Sequence, residues 1–209
     1  MPQASHTGGT WERLVQSVKR VLNGIIVERY AGMTDEMLRT FLAEAASIVN
    51  SRPLSTQCLG DPLSPRPLCP NDLLLQKCRP LLSPPGEFTQ DDAYSRKRWR
   101  RVQHLVDTFW HRFRREYVQH LQARSKWHDR SRNLVCGDIV LFVHDAGTVR
   151  NTWRLGRVMK LYPSADGLVR SCQIAVADPK LDGQGRRRGQ LALLDRSSQQ
   201  IVLLVSARG

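Results

Sequence analysis

The chain has 209 residues, room for one large domain or two small ones, and its 41% apolar content permits packed cores and argues against wholesale disorder. Its 32 Lys/Arg against 19 Asp/Glu leave a net charge of +13, which implies an acidic partner, nucleic acid before an anionic membrane surface. No run approaches the ~20 consecutive apolar residues of a membrane span, no basic-then-apolar leader opens the sequence, and Cys58, Cys69, Cys78, Cys136 and Cys172 are scattered without a C-x-x-C, so we expect a nuclear or cytoplasmic protein with reduced thiols, not a secreted one.

The first element is a helix from Trp11 to Ile26, with Thr10 expected as its N-cap and Glu12 favoured in the first turn by the helix dipole. Leu14, Val15, Val18, Val21, Leu22 and Ile25 form its apolar side, while Glu12, Gln16, Lys19 and Asn23 fall within roughly 60° of one another on the other. A second helix is expected from Thr34 as N-cap to about Asn50, with Leu38, Phe41, Leu42, Ala45, Ile48 and Val49 as its stripe, stopped by Arg52-Pro53. Two such helices need a further layer to cover their stripes. Residues 53–85 hold eight of the eleven prolines and read as an extended connector with one short helical turn near Asn71–Leu75.

A long basic helix is expected from about Asp92 to Lys126, with Val102, Leu105, Val106, Phe109, Phe113, Tyr117 and Leu121 along one face. At ~1.5 Å per residue it would reach roughly 50 Å. Residues 94–132 carry twelve Lys/Arg against three acids, a surplus of nine. Within this element Arg98, Arg100, Arg101, Arg112 and Arg115 are candidate contacts to DNA phosphate, which would give affinity without sequence information. Trp110 and Trp127, beside the apolar stripe, read as packing residues.

Five short strands follow: Asp138–Val143, Trp153–Leu161, Leu168–Ala177, Gln190–Leu194 and Ile201–Val205. They predict a small barrel or roll. Arg154, Arg157, Lys160 and Arg170 surround its second and third strands and are further DNA candidates; Gly156 reads as a bulge or a close backbone approach. No C-x₂₋₄-C stands with an H-x₃₋₅-H, so no zinc site is expected.

The run Gly8-Gly9-Thr10-Trp11-Glu12 resembles the integrases of retroelements, most closely the BEL/Pao class of long-terminal-repeat retrotransposons. The resemblance continues through Val49-Asn50-Ser51-Arg52-Pro53-Leu54, Arg98-Trp99-Arg100-Arg101-Val102-Gln103-His104-Leu105, Trp153-Arg154-Leu155-Gly156-Arg157-Val158, Asp166–Arg170 and Ile201–Leu204, in order along nearly the whole chain. It implies an α+β fold: 1–55 as the terminal helices of a ribonuclease-H-like catalytic core, 56–92 as connector, 93–128 as the basic helix, and 129–206 as a C-terminal DUF5641-type, Src-homology-3-like barrel. It also implies that Glu12 is the third carboxylate of a site for paired Mg²⁺ or Mn²⁺ ions, with Lys19 on phosphate and Gln16 near a base or sugar of the element's DNA end.

The family's other two catalytic aspartates fall outside this sequence, so no metal cofactor and no strand transfer are expected of this chain alone. Met1 falls where the family is still within its catalytic core, and truncation or a partial gene model is the expected account. DNA, the rest of the integrase polyprotein and a second copy of the chain are the implied partners. A domesticated, non-catalytic DNA- or RNA-binding protein and a chromatin-interaction module are the alternatives.

Overall fold

The first helix needs a partner for its apolar side, and it finds one within the chain. In the computed structural model, which describes residues 9–29, 32–54, 67–76, 84–121, 132–142, 150–176 and 191–207, the architecture is α+β. Helices α1 (Gly9–Arg29), α2 (Asp35–Val49), α3 (Pro70–Leu75) and α4 (Arg98–Leu121) precede strands β1 (Ile139–Phe142), β2 (Leu155–Pro163), β3 (Val169–Val176), β4 (Ala192–Ser197) and β5 (Ile201–Val205). The chain divides into two units, Met1–Asn50 with Pro80–Tyr117, and Ser51–Arg79 with Val118–Gly209. Among the described residues no helix is long and apolar enough to cross a membrane.

In the helical unit, Val21 and Ile25 of α1, Met37, Phe41, Ala45 and Ile48 of α2, and Val102, Leu105, Val106, Phe109, Trp110 and Phe113 of α4 are all buried. Phe41 meets Phe109 edge-on at 6.2 Å, and Phe109 stacks on Phe113 at 5.5 Å. The layer that α1 and α2 require is thus α4, where the sequence reading looked to a ribonuclease-H-like sheet. Burying a Phe, Leu or Ile contributes roughly 1.5–3 kcal/mol each, so this shared core dominates the unit's stability. The outer half of the α1 stripe stays open, with Trp11 61% and Val15 39% exposed.

α1 runs on to Arg29, β2 and β4 sit two to three residues later than the sequence reading has them, and two helix starts also differ. α1 opens at Gly9, so Thr10 lies inside the helix and is not its cap. α4 begins at Arg98 rather than Asp92, because Gln90–Tyr94 forms a separate 3-10 turn and Ser95 is extended at φ −61, ψ 140. The reason is chemical. Asp92 accepts from the Thr89 N–H at 3.0 Å and grips Arg100 through both oxygens, which folds the turn back on α4 instead of extending it. The expected C-terminal stretch of that helix, 122–128, lies outside the described residues. Thr34 caps α2 as expected, its hydroxyl accepting from the Met37 N–H.

In the second unit the sheet order is β4-β3-β2-β1-β5, with every neighbouring pair antiparallel. β4 and β5 are consecutive in sequence yet occupy opposite edges, joined by the 3-10 turn Ser198–Gln200. Four interstrand gaps in a flat sheet would separate those edges by about 19 Å. A three-residue 3-10 turn rises only about 6 Å. The sheet must therefore curl, helped by register shifts between Ile139 and Val140 and between Val158 and Lys160. It is barrel-like, but no ladder joins β4 to β5 among the described residues. Val140, Phe142, Val158, Cys172, Ile174, Val176 and Ile201 fill one face; Leu141, Leu155 and Val202 meet Val118 and Trp153 on the other.

Gly156 sits where a Cβ would come within 3.3 Å of Ala175 O and Ile174 Cβ, so any other residue would push β2 and β3 apart by a few tenths of an ångström. Asp138 is fully buried just before β1. Its carboxylate accepts from Val135 N–H at 2.8 Å, Ala207 N–H at 2.9 Å and Arg132 Nη2 at 3.0 Å. One side chain thereby fastens the segment leading into the sheet to the segment leaving it. Burial raises the Asp138 pKa, but these donors outweigh burial and hold it below the usual carboxylate range.

Candidate nucleic-acid interface

On α1, Glu12, Gln16, Lys19 and Asn23 are all exposed, as their helical spacing requires. Neither Glu12 nor Lys19 forms an ion pair with a described residue. Among the described residues no group of three or more His, Cys, Asp or Glu side chains could hold a metal ion. Glu12 presents one exposed carboxylate on this face.

The arginines of α4 are largely committed to the helical unit itself. Arg112 donates to Glu28 of α1 through two bonds of 3.1 and 2.7 Å, and this hydrogen bonding to the carboxylate keeps the guanidinium pKa above its ordinary value. Arg100 holds Asp92 and also donates to Glu87 O at 3.2 Å; the Arg100 hydrogen bond depresses the Asp92 carboxyl. Arg101 donates to Gly32 O at 3.2 Å. Arg98 lies 3.7 Å from Glu36, with both side chains mostly exposed. Arg114 is buried, its guanidinium 5.3 Å from the Trp110 ring centroid, and Trp110 itself is fully buried. Arg115 is exposed and has no acid partner among the described residues.

The cause is positional. Successive residues advance about 100° around a helix. That places Arg98, Arg101 and Arg112 along one margin of the apolar face and Arg100 and Arg114 along the other. Cations at the margin of a core meet the acids of the neighbouring elements. The face pointing away from the core carries Arg115 with His104, Thr108 and His111.

The sheet unit distributes its cations differently. Arg170 is paired in a fork to Asp166, four residues earlier in the turn before β3, and this bond lowers the Asp166 carboxyl. Arg154 keeps a buried Nε–H with no partner among the described residues. Arg157 and Lys160 on β2 pair with no acid among the described residues. The Lys160 ammonium stands 5.5 Å from the Tyr162 ring centroid, and the Tyr162 hydroxyl donates to Asp195 Oδ1 at 3.1 Å. Desolvation first, then Asp195, raises the Tyr162 pKa. β2, β3 and β4 thus present Lys160, Gln173 and Asp195 in one cross-strand row. Sequence reasoning missed Asp195 and Gln173; their alternation with Leu194 and Ile174 was the available signal.

Residues 97–193 match the Family of unknown function (DUF5641). The DUF5641 stretch runs from just before α4 through β3 and into β4, so it takes in Arg98, Arg100, Arg101, Arg112, Arg115, Arg154, Arg157, Lys160 and Arg170 but not Glu12, Gln16 or Lys19. No curated protein and no solved structure matches the chain. Trp127, Arg124, Lys126, Arg130 and the cluster Arg186-Arg187-Arg188 lie outside the described residues.

Proposed function

We propose that this chain is a DNA-binding, C-terminal portion of a BEL/Pao-type retrotransposon integrase, contributing to DNA integration together with the rest of that polyprotein. The observation that carries the DNA reading is the set of exposed or half-buried cations without an acid partner among the described residues, Lys19 and Arg115 in the helical unit and Arg157 and Lys160 in the sheet unit. They stand in a protein of net charge +13. Phosphate is the partner such groups lack. Support for the integrase reading comes from the Gly-Gly-x-Trp-Glu run at the head of α1, followed downstream by the DUF5641 stretch. Glu12 on an open helix face agrees with a role as one ligand of a Mg²⁺ or Mn²⁺ pair completed by other carboxylates.

The test is an electrophoretic titration of DNA with the whole chain at several salt concentrations. Binding should weaken linearly on logarithmic axes, with a slope near −0.9 per phosphate contacted. No binding even at low salt would overturn the reading. In the same preparation Mg²⁺- or Mn²⁺-dependent strand transfer should be absent.

One observation favours a second reading, a non-catalytic DNA- or RNA-binding protein or a chromatin-interaction module. α1 and α2 bury Val21, Ile25, Met37, Phe41, Ala45 and Ile48 in a unit whose described residues include α4 and no strand. Salt-insensitive binding to a modified histone tail would select the chromatin module over either nucleic-acid reading.

A further inference from the structure

Three aromatic side chains are exposed among the described residues, and two of them lie five positions apart. Tyr94 is 81% and Trp99 50% exposed. Between them stand Ser95, Arg96, Lys97 and Arg98, three exposed cations and no acid. Four other aromatics of this unit, Phe41, Phe109, Trp110 and Phe113, are completely buried, and Phe88 and Tyr117 are half-buried, so outside Trp11 the open rings among the described residues are these two. A single open apolar residue is ordinary on any surface. Two aromatics bracketing three cations form a patch with a definite chemistry.

The patch is also braced from beneath. Trp99 packs on Phe88 in a T-shaped contact, ring centroids 5.4 Å apart and planes at 77°. The Arg100 guanidinium covers the same Phe88 ring at 5.4 Å and is itself forked to Asp92. Ser95 is extended, and its hydroxyl accepts from the Lys97 N–H at 3.2 Å, so Arg96 and Lys97 lie in the short link between the 3-10 turn and α4. Arg98 is only loosely engaged: its 3.7 Å pair with Glu36 joins two side chains that are 66% and 85% exposed, a kind that water and salt weaken easily. The nearest uncommitted acids in sequence are Glu87 and Asp91, both upstream of Tyr94.

We infer that Tyr94, Arg96, Lys97 and Trp99 form a strip that binds single-stranded DNA, with the two rings stacking on unpaired bases and the two cations on the phosphates between them. The inference rests on the DNA-binding reading above and narrows it. Cations alone would serve duplex or single strand equally, since both present phosphate. Open aromatic faces add affinity only for bases that are not already stacked on neighbours, and they do so for any base, because every base has a π-face. Duplex ends that are frayed or processed supply such bases.

The test uses the full chain and fluorescence anisotropy, with a labelled oligothymidylate, a labelled duplex of equal length, and vesicles containing phosphatidylserine. Tyr94→Ala and Trp99→Ala should each weaken oligothymidylate binding about tenfold and change duplex binding by less than about twofold. Trp99→Phe, which keeps a ring on Phe88, should retain most of the affinity, and it controls for any loss of fold in Trp99→Ala. Arg96→Ala and Lys97→Ala should each reduce the salt slope by about one on either DNA. If both aromatic variants bind oligothymidylate like the parent while duplex binding persists, the strip is wrong and the DNA reading survives. If the parent binds neither DNA, both fail. Binding to the vesicles alone would reassign the patch to a membrane surface and overturn the inference.

Discussion

In the helical unit Arg100 and Arg112 each grip a carboxylate through two nitrogens, whereas on β2 of the sheet unit Arg157 and Lys160 hold none among the described residues. The helical element is by far the denser in positive charge, yet more of its cations are neutralised from within. Charge density along a sequence locates where cations are made; the acids of neighbouring elements decide which of them remain available. Arg170, forked to Asp166, and Arg132, bound to Asp138, show the same rule operating locally within the sheet unit.

The largest expected effect tests whether the α4 arginines ride on a packed core. Phe109→Ala removes a fully buried ring between Phe41 and Phe113 and should cost about 3–5 kcal/mol, enough to unfold the helical unit in a urea titration. A loss under about 1 kcal/mol would mean that the helices are not closed on each other.

Next comes the buried acid of the sheet unit. Asp138→Asn should cost about 3 kcal/mol, because Arg132 loses its anion and a buried donor or acceptor is left unmatched. Its folded pKa is depressed, so its contribution is complete above the unfolded carboxyl value of about 3.9 and is lost as pH falls through the lower folded value. Thermal melts of the parent should therefore drop below about pH 4, and the variant should show less of that drop. A parallel decline in both would remove Asp138 from the acid response.

The unpaired and paired cations are then compared directly. Replacing Arg157 and Lys160 together by Ala should lower DNA affinity and reduce the salt slope by about two, with little change in melting temperature. Arg112→Ala should do the reverse. Its pair with Glu28 is 41% and 50% exposed, so stability should fall by no more than about 1 kcal/mol, and the salt slope should stay unchanged. An unchanged slope in the double variant, or a lower one in Arg112→Ala, would break the comparison.

Much of the fold is legible in the residues. Thr34 before Asp35-Glu36 gives the start of α2, and the alternation in Val169–Val176 gives β3, because caps and periodicity are local. The misreading of 92–97 as helix has a distant cause: Asp92 bonds Arg100 eight residues on, which no local propensity records. Met37 was legible too, since it stands four, eight and eleven residues before the buried Phe41, Ala45 and Ile48, yet the predicted stripe took its neighbour Leu38 instead. The roles of the arginines were the least legible part. Glu28 and Arg112 are 84 positions apart, and only the packing of α1 with α4 makes them neighbours. Trp110 is fully enclosed, as its place beside the apolar stripe predicts, whereas the half-open Trp99 carries no role in the sequence reading.

The carboxylate of Asp138 has a practical corollary for anyone shortening this polypeptide. Ala207 contributes an amide to it and also lies 3.1 Å from where a Cβ on Gly137 would sit, a left-handed position at φ +93. A version ending at Val205 would keep every strand yet strip a buried anion of one donor, and it should melt earlier than a version ending at Ala207.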